Sequence, residues 1–377
     1  MHVLFYINSL VAGGAERVLS KLASHCAEAG LTVTVVTQKT VDTDHYTLHP
    51  NITRYSTESG NTARHLLHGV INNLRRITRL RALIRSEQPD CVVAFMNTAN
   101  TVATLAALGT GVPVIISERN YPPTKQMSWL RERVQRLAHK WARTLVVQTE
   151  RTRAWYEKHE RLHHIEVIPN GISLPLPRVL PHVMPEEHVP HDKRVLLCVG
   201  RLDAQKQPAV AVEVFQQAQL EEDWLLVWIG RGDSTLLPGY NEGKLAGRVV
   251  WLPAVGNIQD WYERADVYMS TSAHEGFPNS LLEAMACGCP SLAFDCPTGP
   301  AEIIQDGHNG ILVPADHVAD MVQALRKVTS DPELRDQLAA NAPAVMDDFS
   351  DEQVHDQWRK LFNTCANRSQ SPYSTRD

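Results

Sequence analysis

The sequence predicts an α/β protein made of two doubly wound domains, each with a parallel sheet. Short apolar runs rich in β-branched residues alternate with amphipathic stretches along the chain, a pattern typical of βαβ units. Six prolines between Pro169 and Pro190 separate two series of such units, because this stretch can build neither a helix nor a central strand. A chain of 377 residues is also too long for one ordinary core.

The first forty residues show one complete βαβ unit. An apolar run from Val3 to Ile7 leads into a loop with Gly13 and Gly14, and an amphipathic stretch follows over residues 15–29. The β-branched run at residues 31–37 then predicts a second strand. Because a helix connects the two strands, they are expected to be parallel.

The alternation of strands and helices continues in both halves. The further predicted strands lie at residues 91–95, 114–117, 145–148, 194–199, 224–229, 249–251, 267–269 and 291–294. We therefore expect an N-terminal domain over residues 1–170, a linker over 171–192 and a C-terminal domain over 193–350. Residues 351–377 are predicted to form a C-terminal helix, able to pack back on the first domain, and a frayed polar tail.

Composition disfavours several classes of protein. Hydrophobic residues make up 43% and charged residues 21%, as in globular proteins, and no apolar run is long enough to span a membrane. The first eight residues lack the basic segment and cleavage site of a signal peptide, so a cytoplasmic location is expected. The seven cysteines and seventeen histidines show no metal-ligand spacing, which predicts reduced core thiols and no metal site.

Charge is distributed unevenly along the chain. Residues 1–169 contain 21 Lys and Arg against 13 Asp and Glu, whereas the remainder contains 16 basic and 29 acidic residues. A basic half in an acidic protein indicates that the N-terminal half meets an anionic partner. Nucleic acid, a phosphorylated substrate and a membrane surface are all compatible with this asymmetry.

Two glycine-containing loops follow predicted strands. Gly13 and Gly14 precede a helix and would let backbone amides approach a phosphate or a sugar, although a tight turn explains them equally well. Their spacing is not the Gly-x-Gly-x-x-Gly of nicotinamide-binding proteins. Gly200 ends a strand and is followed by Arg201 and Lys206, which suit a diphosphate because Arg forks two oxygens and Lys is a mobile charge. A solvated basic pair is the alternative, but the dipole at a helix start disfavours it.

The third loop follows the strand at residues 267–269 and carries two carboxylates. Glu275 precedes a predicted helix that Asn279 or Ser280 caps, and Glu283 falls about one turn into that helix. Carboxylates accept paired hydrogen bonds from sugar hydroxyls, and a helix N-terminus favours an anion. The loop therefore suits a ligand with sugars at two ends and phosphate in the middle, unless the two acids are a surface residue and a helix residue by chance.

Three motifs together resemble glycosyltransferase family 4. They are the paired glycines, Gly-Arg-Leu-x-x-x-Lys-Gln from Gly200 and Glu-Gly-Phe-Pro-Asn-x-Leu-Leu-Glu from Glu275, in that order. The resemblance covers residues 1–360 or so. It implies the GT-B fold, in which two Rossmann-like domains face a central cleft, and transfer of a sugar from a nucleotide-sugar with retention of the anomeric configuration.

The resemblance also implies roles for individual residues. Arg201 and Lys206 would neutralise the donor diphosphate and Glu275 would contact the transferred sugar, so these three are the catalytic candidates. Glu283 would bind the ribose hydroxyls. The other donor-binding candidates are Gly13, Gly14, Gly200, Gly230, Phe277, Asn279, Ser280 and Leu281. The acceptor hydroxyl would attack from the leaving-group face and give its proton to the β-phosphate, with no metal or other cofactor.

One position departs from the family pattern. After the strand at residues 114–117 many relatives have Ser-Glu-His, whose His touches the transferred sugar, whereas this chain has Ser117-Glu-Arg-Asn. Arg119 can donate hydrogen bonds there or meet a phosphate of the acceptor, but it cannot act as a base.

Two basic segments of the N-terminal half indicate where the acceptor binds. Residues 59–86 contain six arginines and no acidic residue, and on one helix the apolar side chains gather on the side opposite most of the arginines. A solvated face usually mixes charges of both signs. We expect this helix and the basic stretch at 131–143 to meet anionic lipid or a lipid-linked pyrophosphate, as in some bacterial members of family 4 that extend undecaprenyl-diphosphate-linked sugars. The candidate residues of the helix are Arg64, Arg75, Arg76 and Arg79.

The sequence thus favours a retaining enzyme that moves a hexose or N-acetylhexosamine from a UDP-sugar to a sugar hydroxyl. The expected acceptor is an undecaprenyl-diphosphate-linked glycan or another cell-surface polysaccharide precursor, at the inner face of the cytoplasmic membrane. UDP is preferred to GDP on family precedent alone. The alternatives are an epimerase with the same fold and donor, which needs no acceptor site, and a catalytically silent membrane-bound binding protein. Nucleic acid is disfavoured because the basic stretches lack interleaved aromatic residues.

Overall fold

The computed structural model describes residues 1–58, 66–124, 128–160, 162, 164–240 and 243–369. The chain divides into two packed units. Unit 1 comprises Met1–Gly171 together with Glu352–Asp377, and unit 2 comprises Ile172–Asp351. Each unit contains one parallel sheet with helices between successive strands, which confirms the predicted pair of doubly wound α/β sheets.

The sheet of unit 1 has the strand order β3-β2-β1-β4-β5-β6-β7, and every pairing is parallel. The strand order reverses between β1 and β4, where the following loops diverge and leave room for a ligand. Its strands are β1 (His2–Ile7), β2 (Thr32–Thr37), β3 (Thr53–Ser56), β4 (Cys91–Phe95), β5 (Val114–Ser117), β6 (Thr144–Val147) and β7 (Ile165–Val167).

The sheet of unit 2 has the order β10-β9-β8-β11-β12-β13 and is also parallel. Here the order reverses between β8 and β11, which makes the loops after these two strands the expected ligand site. Its strands are β8 (Arg194–Val199), β9 (Trp224–Ile229), β10 (Val249–Leu252), β11 (Val267–Ser270), β12 (Ser291–Asp295) and β13 (Ile311–Pro314).

The helices connect these strands and follow them at the C-terminal end of the chain. None of the described helices is both long and apolar enough to cross a lipid bilayer. The helices are α1 (Gly14–Glu28), α2 (Leu66–Glu87), α3 (Asn97–Ala107), α4 (Trp129–Trp141), α5 (Glu150–His159), α6 (Pro208–Ala218), α7 (Ile258–Arg264), α8 (Asn279–Ala286), α9 (Pro300–Ile303), α10 (Val318–Ser330), α11 (Pro332–Asn341), α12 (Val345–Phe349) and α13 (Asp351–Ser369).

Three strands were not predicted from the sequence: β3, β7 and β13. Each has three or four residues and lies at the edge of its sheet. Edge strands are covered less completely than central ones, and most residues of these three are only partly buried. They therefore lack the continuous apolar run that identifies the central strands.

Both faces of the unit 1 sheet are covered by helices. One face carries α1, through residues such as Leu19, and also α13, through Trp358 and Phe362. Phe362 packs edge-on against Phe5 with ring centroids 6.2 Å apart, and Trp358 stacks on Phe95 at 5.8 Å. The helix at the C-terminal end of the chain thus belongs to the core of unit 1. Helices α2 and α3 cover the opposite face.

The sheet of unit 2 has α6 and α10 on one face and α7, α8 and α12 on the other. Residues 172–192, whose prolines predict a linker, lie within unit 2. Ile172, Leu176 and Val189 of this segment are buried in its core. A proline-rich segment can therefore pack as irregular structure against a sheet when its apolar residues find a face to cover.

Candidate functional site

The loops after β8 and β9 are pressed together at the carboxyl edge of the unit 2 sheet. The Gly200 amide donates to the Ile229 carbonyl at 2.9 Å, and the Trp228 indole N–H donates to the Gly200 carbonyl at 2.8 Å. A Cβ atom on Gly230 would lie 1.9 Å from the Gly200 oxygen. Only glycine therefore fits at position 230, and its absence of a side chain sets the path of the loop that carries Arg201.

A nearly buried ion pair joins Lys206, on the loop after β8, to Glu275, on the loop after β11. The Lys206 Nζ lies 2.6 Å from Glu275 Oε1, and the two side chains are 16% and 7% exposed. Glu275 Oε2 also accepts from Gln205 Nε2 at 3.4 Å, and the Glu275 carbonyl accepts from the Thr298 hydroxyl. An ammonium group has three N–H donors, so Lys206 can contact Glu275 and a phosphate oxygen together. Two of the three catalytic candidates are thus in direct contact.

Arg201 lies close to this pair, with Gln205 between them. Its guanidinium contacts Asp203 Oδ2 at 3.1 Å and Gln205 Oε1 at 3.2 Å, and its side chain is 67% exposed. Asp203 also accepts from the amides of Gln205 and Lys206, both at 3.1 Å, which closes an Asx turn. Asp203 and Gln205 were not predicted from the sequence, although an Asp at the start of a turn is the usual signal of such a motif.

The start of α8 differs from the prediction. Its N-cap is Pro278, no side chain of the described residues caps it, and Asn279 is its first residue. The Ser280 hydroxyl accepts instead from the Tyr268 hydroxyl at 3.0 Å. The prediction that Asn279 or Ser280 caps this helix is therefore wrong, because the chain turns one residue earlier and the Pro278 carbonyl accepts the amide of Leu281 at 3.1 Å.

The end of α8 agrees with the prediction that Gly288 terminates it. Gly288 has a φ of +78° and donates its amide to the Met285 carbonyl at 2.9 Å. The amide of Cys289 donates to the Ala284 carbonyl, also at 2.9 Å. These two bonds satisfy carbonyls of the last turn, and the left-handed conformation that they require favours glycine.

Glu283 is buried inside α8. Its Oε2 accepts a hydrogen bond from the Tyr262 hydroxyl at 3.1 Å. Burial raises the pKa of Tyr268 far above its usual range, and the nearby carboxylates of Glu275 and Glu283 add to that rise. Both predicted sugar-binding acids therefore lie near one buried phenol. Tyr262 was not predicted, since no local pattern connects it with a residue 21 positions further along the chain.

Two predicted donor-binding residues serve the core of unit 2. Phe277 is buried and packs edge-on against Phe349, with ring centroids 5.4 Å apart. Leu281 is fully buried, and its amide donates to the Pro278 carbonyl. Their side chains thus hold the loop and the helix on the sheet.

The paired glycines of unit 1 lie at the start of α1. Gly13 is the N-cap in an extended conformation and Gly14 is the first helical residue. The Tyr46 hydroxyl donates to the Gly13 carbonyl at 2.9 Å, which ties this loop to a distant segment that the sequence analysis did not connect with it. A Cβ on Gly13 would lie 2.3 Å from Glu16 Oε2, so the Glu16 side chain occupies the space beside this glycine. Partial burial of the Glu16 carboxyl raises its pKa.

The predicted acceptor-side arginines are placed by α2, except Arg64, which lies outside the described residues. Arg75 is exposed, and Arg76 Nη1 donates to Asn73 Oδ1 at 3.0 Å. Arg79 Nη1 donates to the carbonyls of residues 57 and 58, the latter at 3.4 Å. Burial along the apolar side of α2 is graded, since Leu80 and Ile84 are buried whereas Leu74 is 56% exposed.

Arg119, the departure from the family pattern, lies two residues after β5 and is 7% exposed. Its Nη1 donates to Ser117 Oγ at 3.4 Å, and its Nη2 donates to Asn170 Oδ1. Its guanidinium also lies over the Phe95 ring, 5.1 Å from the centroid. The sequence shows an arginine after a strand, but its burial becomes apparent only in the fold.

Metal ligands are not grouped in the part of the chain that the structure describes: no three His, Cys, Asp or Glu side chains there could hold an ion together. Arg201 and Lys206 place positive charge at the carboxyl edge of the unit 2 sheet. Cations on two positions of one loop can offset the charge of a diphosphate.

Two sequence families match the chain, one in each unit. Residues 13–171 match the family described as Glycosyl transferase 4-like domain. Residues 182–345 match the family described as Glycosyl transferases group 1. The two matches leave out only the first twelve residues, ten residues between them and the C-terminal segment.

Curated proteins and solved structures of similar length agree with these matches. The chain is 25% identical, over 97% of its own length and 99% of the relative's, to the GalNAc-alpha-(1->4)-GalNAc-alpha-(1->3)-diNAcBac-PP-undecaprenol alpha-1,4-N-acetyl-D-galactosaminyltransferase of Campylobacter jejuni. It is 34% identical, over 44% of its length and 46% of the relative's, to the lipopolysaccharide 1,6-galactosyltransferase of Salmonella typhimurium.

Among solved structures, a sucrose-phosphate synthase from Thermosynechococcus elongatus superposes with a TM-score of 0.82 at 20% identity, covering 98% of this chain and all of that one. Anabaena HepE in complex with UDP superposes with a TM-score of 0.75 at 18% identity, covering 97% and 100%. These likenesses show the shared fold. The chain therefore belongs to the glycosyltransferases of the GT-B fold, with a 4-like domain in unit 1 and a group 1 domain in unit 2.

Proposed function

We propose that the protein transfers a hexose or N-acetylhexosamine from a UDP-sugar, with retention of the anomeric configuration, to a hydroxyl of a lipid-diphosphate-linked glycan. The observation that carries the proposal is the Lys206–Glu275 ion pair with Arg201 close to it. Cations on one loop suit a diphosphate, and a carboxylate within reach of them suits the hydroxyls of the sugar that the diphosphate bears. This is the arrangement that a nucleotide-sugar requires.

In this reaction the protein stabilises the charge that develops on the departing diphosphate. Arg201 and Lys206 supply N–H donors that are already positioned, and Glu275 orients the sugar. The acceptor hydroxyl attacks the anomeric carbon from the leaving-group face, and the β-phosphate takes its proton. Because the two side chains provide the positive charge, the reaction is proposed to need no bound metal.

Similar proteins support the choice of donor and acceptor. Anabaena HepE has been solved with UDP bound, which favours UDP as the nucleotide. The Campylobacter relative acts, by its name, on a glycan linked to undecaprenol through a diphosphate. The Salmonella relative acts on lipopolysaccharide. The acceptor proposed for this chain is accordingly a membrane-linked glycan precursor.

Helix α4 supports a position at an anionic membrane surface. Trp141 is 52% exposed, and Val134 and Leu137 are exposed on the same side of the helix. Trp129, at the start of the helix, is 72% exposed. Exposed basic residues, including Arg133 and Lys140, line the neighbouring side. An exposed apolar face bordered by Lys and Arg is typical of a helix that lies in the lipid headgroup region. We therefore propose that the protein is peripheral at the cytoplasmic face of the membrane.

The double variant Arg133→Gln/Lys140→Gln tests this position. Each basic residue near an anionic surface contributes about 1 kcal/mol, so the affinity for vesicles with 30% phosphatidylglycerol or so should fall on the order of 30-fold. Vesicle co-sedimentation measures it. The control is Lys327→Gln/Lys360→Gln, which also removes two exposed positive charges. An equal loss of vesicle affinity in both double variants would mean that only the net charge of the protein matters and would contradict a role of α4.

A panel of nucleotide-sugars tests the reaction itself. The protein is incubated with UDP- and GDP-linked hexoses and N-acetylhexosamines, with and without an undecaprenyl-diphosphate-linked sugar, and products are read by mass spectrometry and NMR. The expected result is one UDP-sugar consumed only when the acceptor is present, an α-linked product from an α-linked donor, and no effect of EDTA. Interconversion of the donor without acceptor would instead identify an epimerase, and binding without turnover would identify a silent protein.

Glu283 is proposed to bind the ribose of the donor, so Glu283→Gln should act mainly on donor affinity. The loss of charge-assisted hydrogen bonds of about 1.5–3 kcal/mol predicts a KM for the donor raised on the order of 10- to 100-fold, with kcat changed much less. Steady-state kinetics at saturating acceptor measure both constants. The companion variant Tyr262→Phe keeps the Glu283 carboxylate, removes the hydrogen bond that it accepts from Tyr262, and should raise KM less. A fall in kcat at unchanged KM would contradict this role.

A further inference from the structure

The guanidinium of Arg119 lies over the carboxyl ends of three strands of the unit 1 sheet. Ser117, which accepts from it, is the last residue of β5, and Phe95, over whose ring it lies, is the last residue of β4. Asn170, its other acceptor, follows β7. Ligands of doubly wound sheets bind at this edge. Arg119 is therefore buried where a ligand of unit 1 would lie.

Arg119 has no carboxylate partner among the residues that the structure describes. Two other partly buried arginines have one, since Arg194 lies 2.6 Å from Asp223 and Arg54 lies 2.9 Å from Asp44. The neighbouring Glu118 contacts other groups, because its Oε1 accepts from Asn100 Nδ2 at 2.9 Å. Burial alone lowers the pKa of Arg119 to about 9, which reflects the cost of a positive charge that no nearby acid offsets.

A buried cation without a counter-ion is retained only if something else compensates it. A guanidinium has five N–H donors, and the bonds to Ser117 and Asn170 leave donors for a further acceptor. We infer that Arg119 binds a carboxylate of the substrate, so that the sugar in this site is an acidic one, such as a hexuronic acid. This inference rests on the proposed function and modifies its substrate class, because either the donor sugar or the acceptor sugar would carry a carboxylate.

The charge of the site favours a carboxylate over a phosphate. A sugar phosphate or a diphosphate carries about two negative charges and is usually met by several cations, as on the loop of Arg201 and Lys206. Among the described residues, no other charged group contributes to the shift in the pKa of Arg119. One planar guanidinium matches one carboxylate in both charge and fork geometry.

Matched pairs of sugars test this inference and distinguish the donor from the acceptor as the source of the carboxylate. The donor pairs are UDP-glucose with UDP-glucuronate and UDP-galactose with UDP-galacturonate, each differing by a carboxylate at C6. The acceptor-side pairs are methyl glucoside with methyl glucuronoside and methyl galactoside with methyl galacturonoside, offered with UDP present. Binding is measured by calorimetry, which needs no turnover, and kcat/KM is measured wherever turnover occurs. The wild-type protein should prefer the acidic member of at least one pair, on the order of 10²-fold.

The variants Arg119→Gln and Arg119→Lys complete the test. Arg119→Gln should abolish the preference, and Arg119→Lys should retain part of it, because the charge remains but the fork is lost. For each variant, the ratio of binding or of kcat/KM between the two sugars of a pair is measured on one preparation. A lower folded fraction in that preparation therefore does not change the ratio. No preference in any wild-type pair, or a preference that survives Arg119→Gln, would overturn the inference. If the wild-type protein transfers only neutral sugars to neutral acceptors, the inference about Arg119 is overturned but the proposed function stands.

Discussion

Lys206→Ala is expected to lower kcat on the order of 10²- to 10³-fold, as the loss of one positioned donor to a developing charge usually does. Lys206 is better buried than Arg201, and its position is set by the 2.6 Å contact with Glu275. Water therefore replaces its ammonium poorly. Steady-state kinetics with the donor identified by the panel measure the effect, and Arg201→Ala should show the same trend.

Stability must be separated from catalysis in this variant, because Lys206→Ala leaves the Glu275 carboxylate buried without its cation. Breaking a buried pair from one side costs about 3–5 kcal/mol. The double variant Lys206→Ala/Glu275→Gln removes the orphaned charge and should recover most of that stability without recovering activity. Lys327→Ala, on an exposed helix face of the same unit, should change neither the stability nor the activity. Wild-type turnover in Lys206→Ala would exclude Lys206 from the reaction.

Gly230→Ala is expected to lower the free energy of unfolding of unit 2 by about 3 kcal/mol or more and to abolish donor binding. The added Cβ would lie 1.9 Å from the Gly200 oxygen, which is a backbone atom that the hydrogen bond from the Trp228 indole holds in place. The collision can be relieved only if the loops after β8 and β9 move apart. Arg201 moves with the first of these loops.

Gly307→Ala is the matched control for this effect. Gly307 also has a positive φ, +72°, but nothing lies within 4 Å of the Cβ that alanine would add. Its substitution should cost only the strain of the left-handed conformation, about 1–2 kcal/mol, and leave donor binding unchanged. Thermal and urea unfolding with calorimetric titration of UDP compare the two variants. Similar losses of stability and of UDP binding in Gly230→Ala and Gly307→Ala would show that the contact with Gly200 is unimportant.

The central strands and their loops are predictable because local chemistry determines them. Strands β8 and β9 are buried on both faces and therefore appear in the sequence as continuous apolar runs. Once the strands are assigned, the loops after β8 and β11 follow, and with them Lys206 and Glu275. The contact between these two side chains agrees with the expectation that parallel strands bring their following loops to one edge.

The parts of the site that the sequence does not predict depend on contacts between distant parts of the chain. The hydroxyl that reaches Glu283 comes from Tyr262 on another helix, and the hydroxyl that engages Ser280 comes from Tyr268 on a strand. No periodicity in the sequence encodes either contact. The start of α8 was mispredicted for a related reason, since Asn279 and Ser280 are both good caps by type and only the course of the chain decides between them and Pro278.

The membership of α13 in unit 1 affects how the protein is made. Unit 1 consists of residues 1–171 and 352–377, so the 180 residues of unit 2 are translated between its two parts. At about 5–20 residues per second, the face of β1 and β4 that Phe362 and Trp358 cover waits roughly ten seconds or more on the ribosome before these aromatic side chains emerge. Unit 2 can fold during that interval, while the apolar face of unit 1 that α13 covers in the folded protein stays exposed.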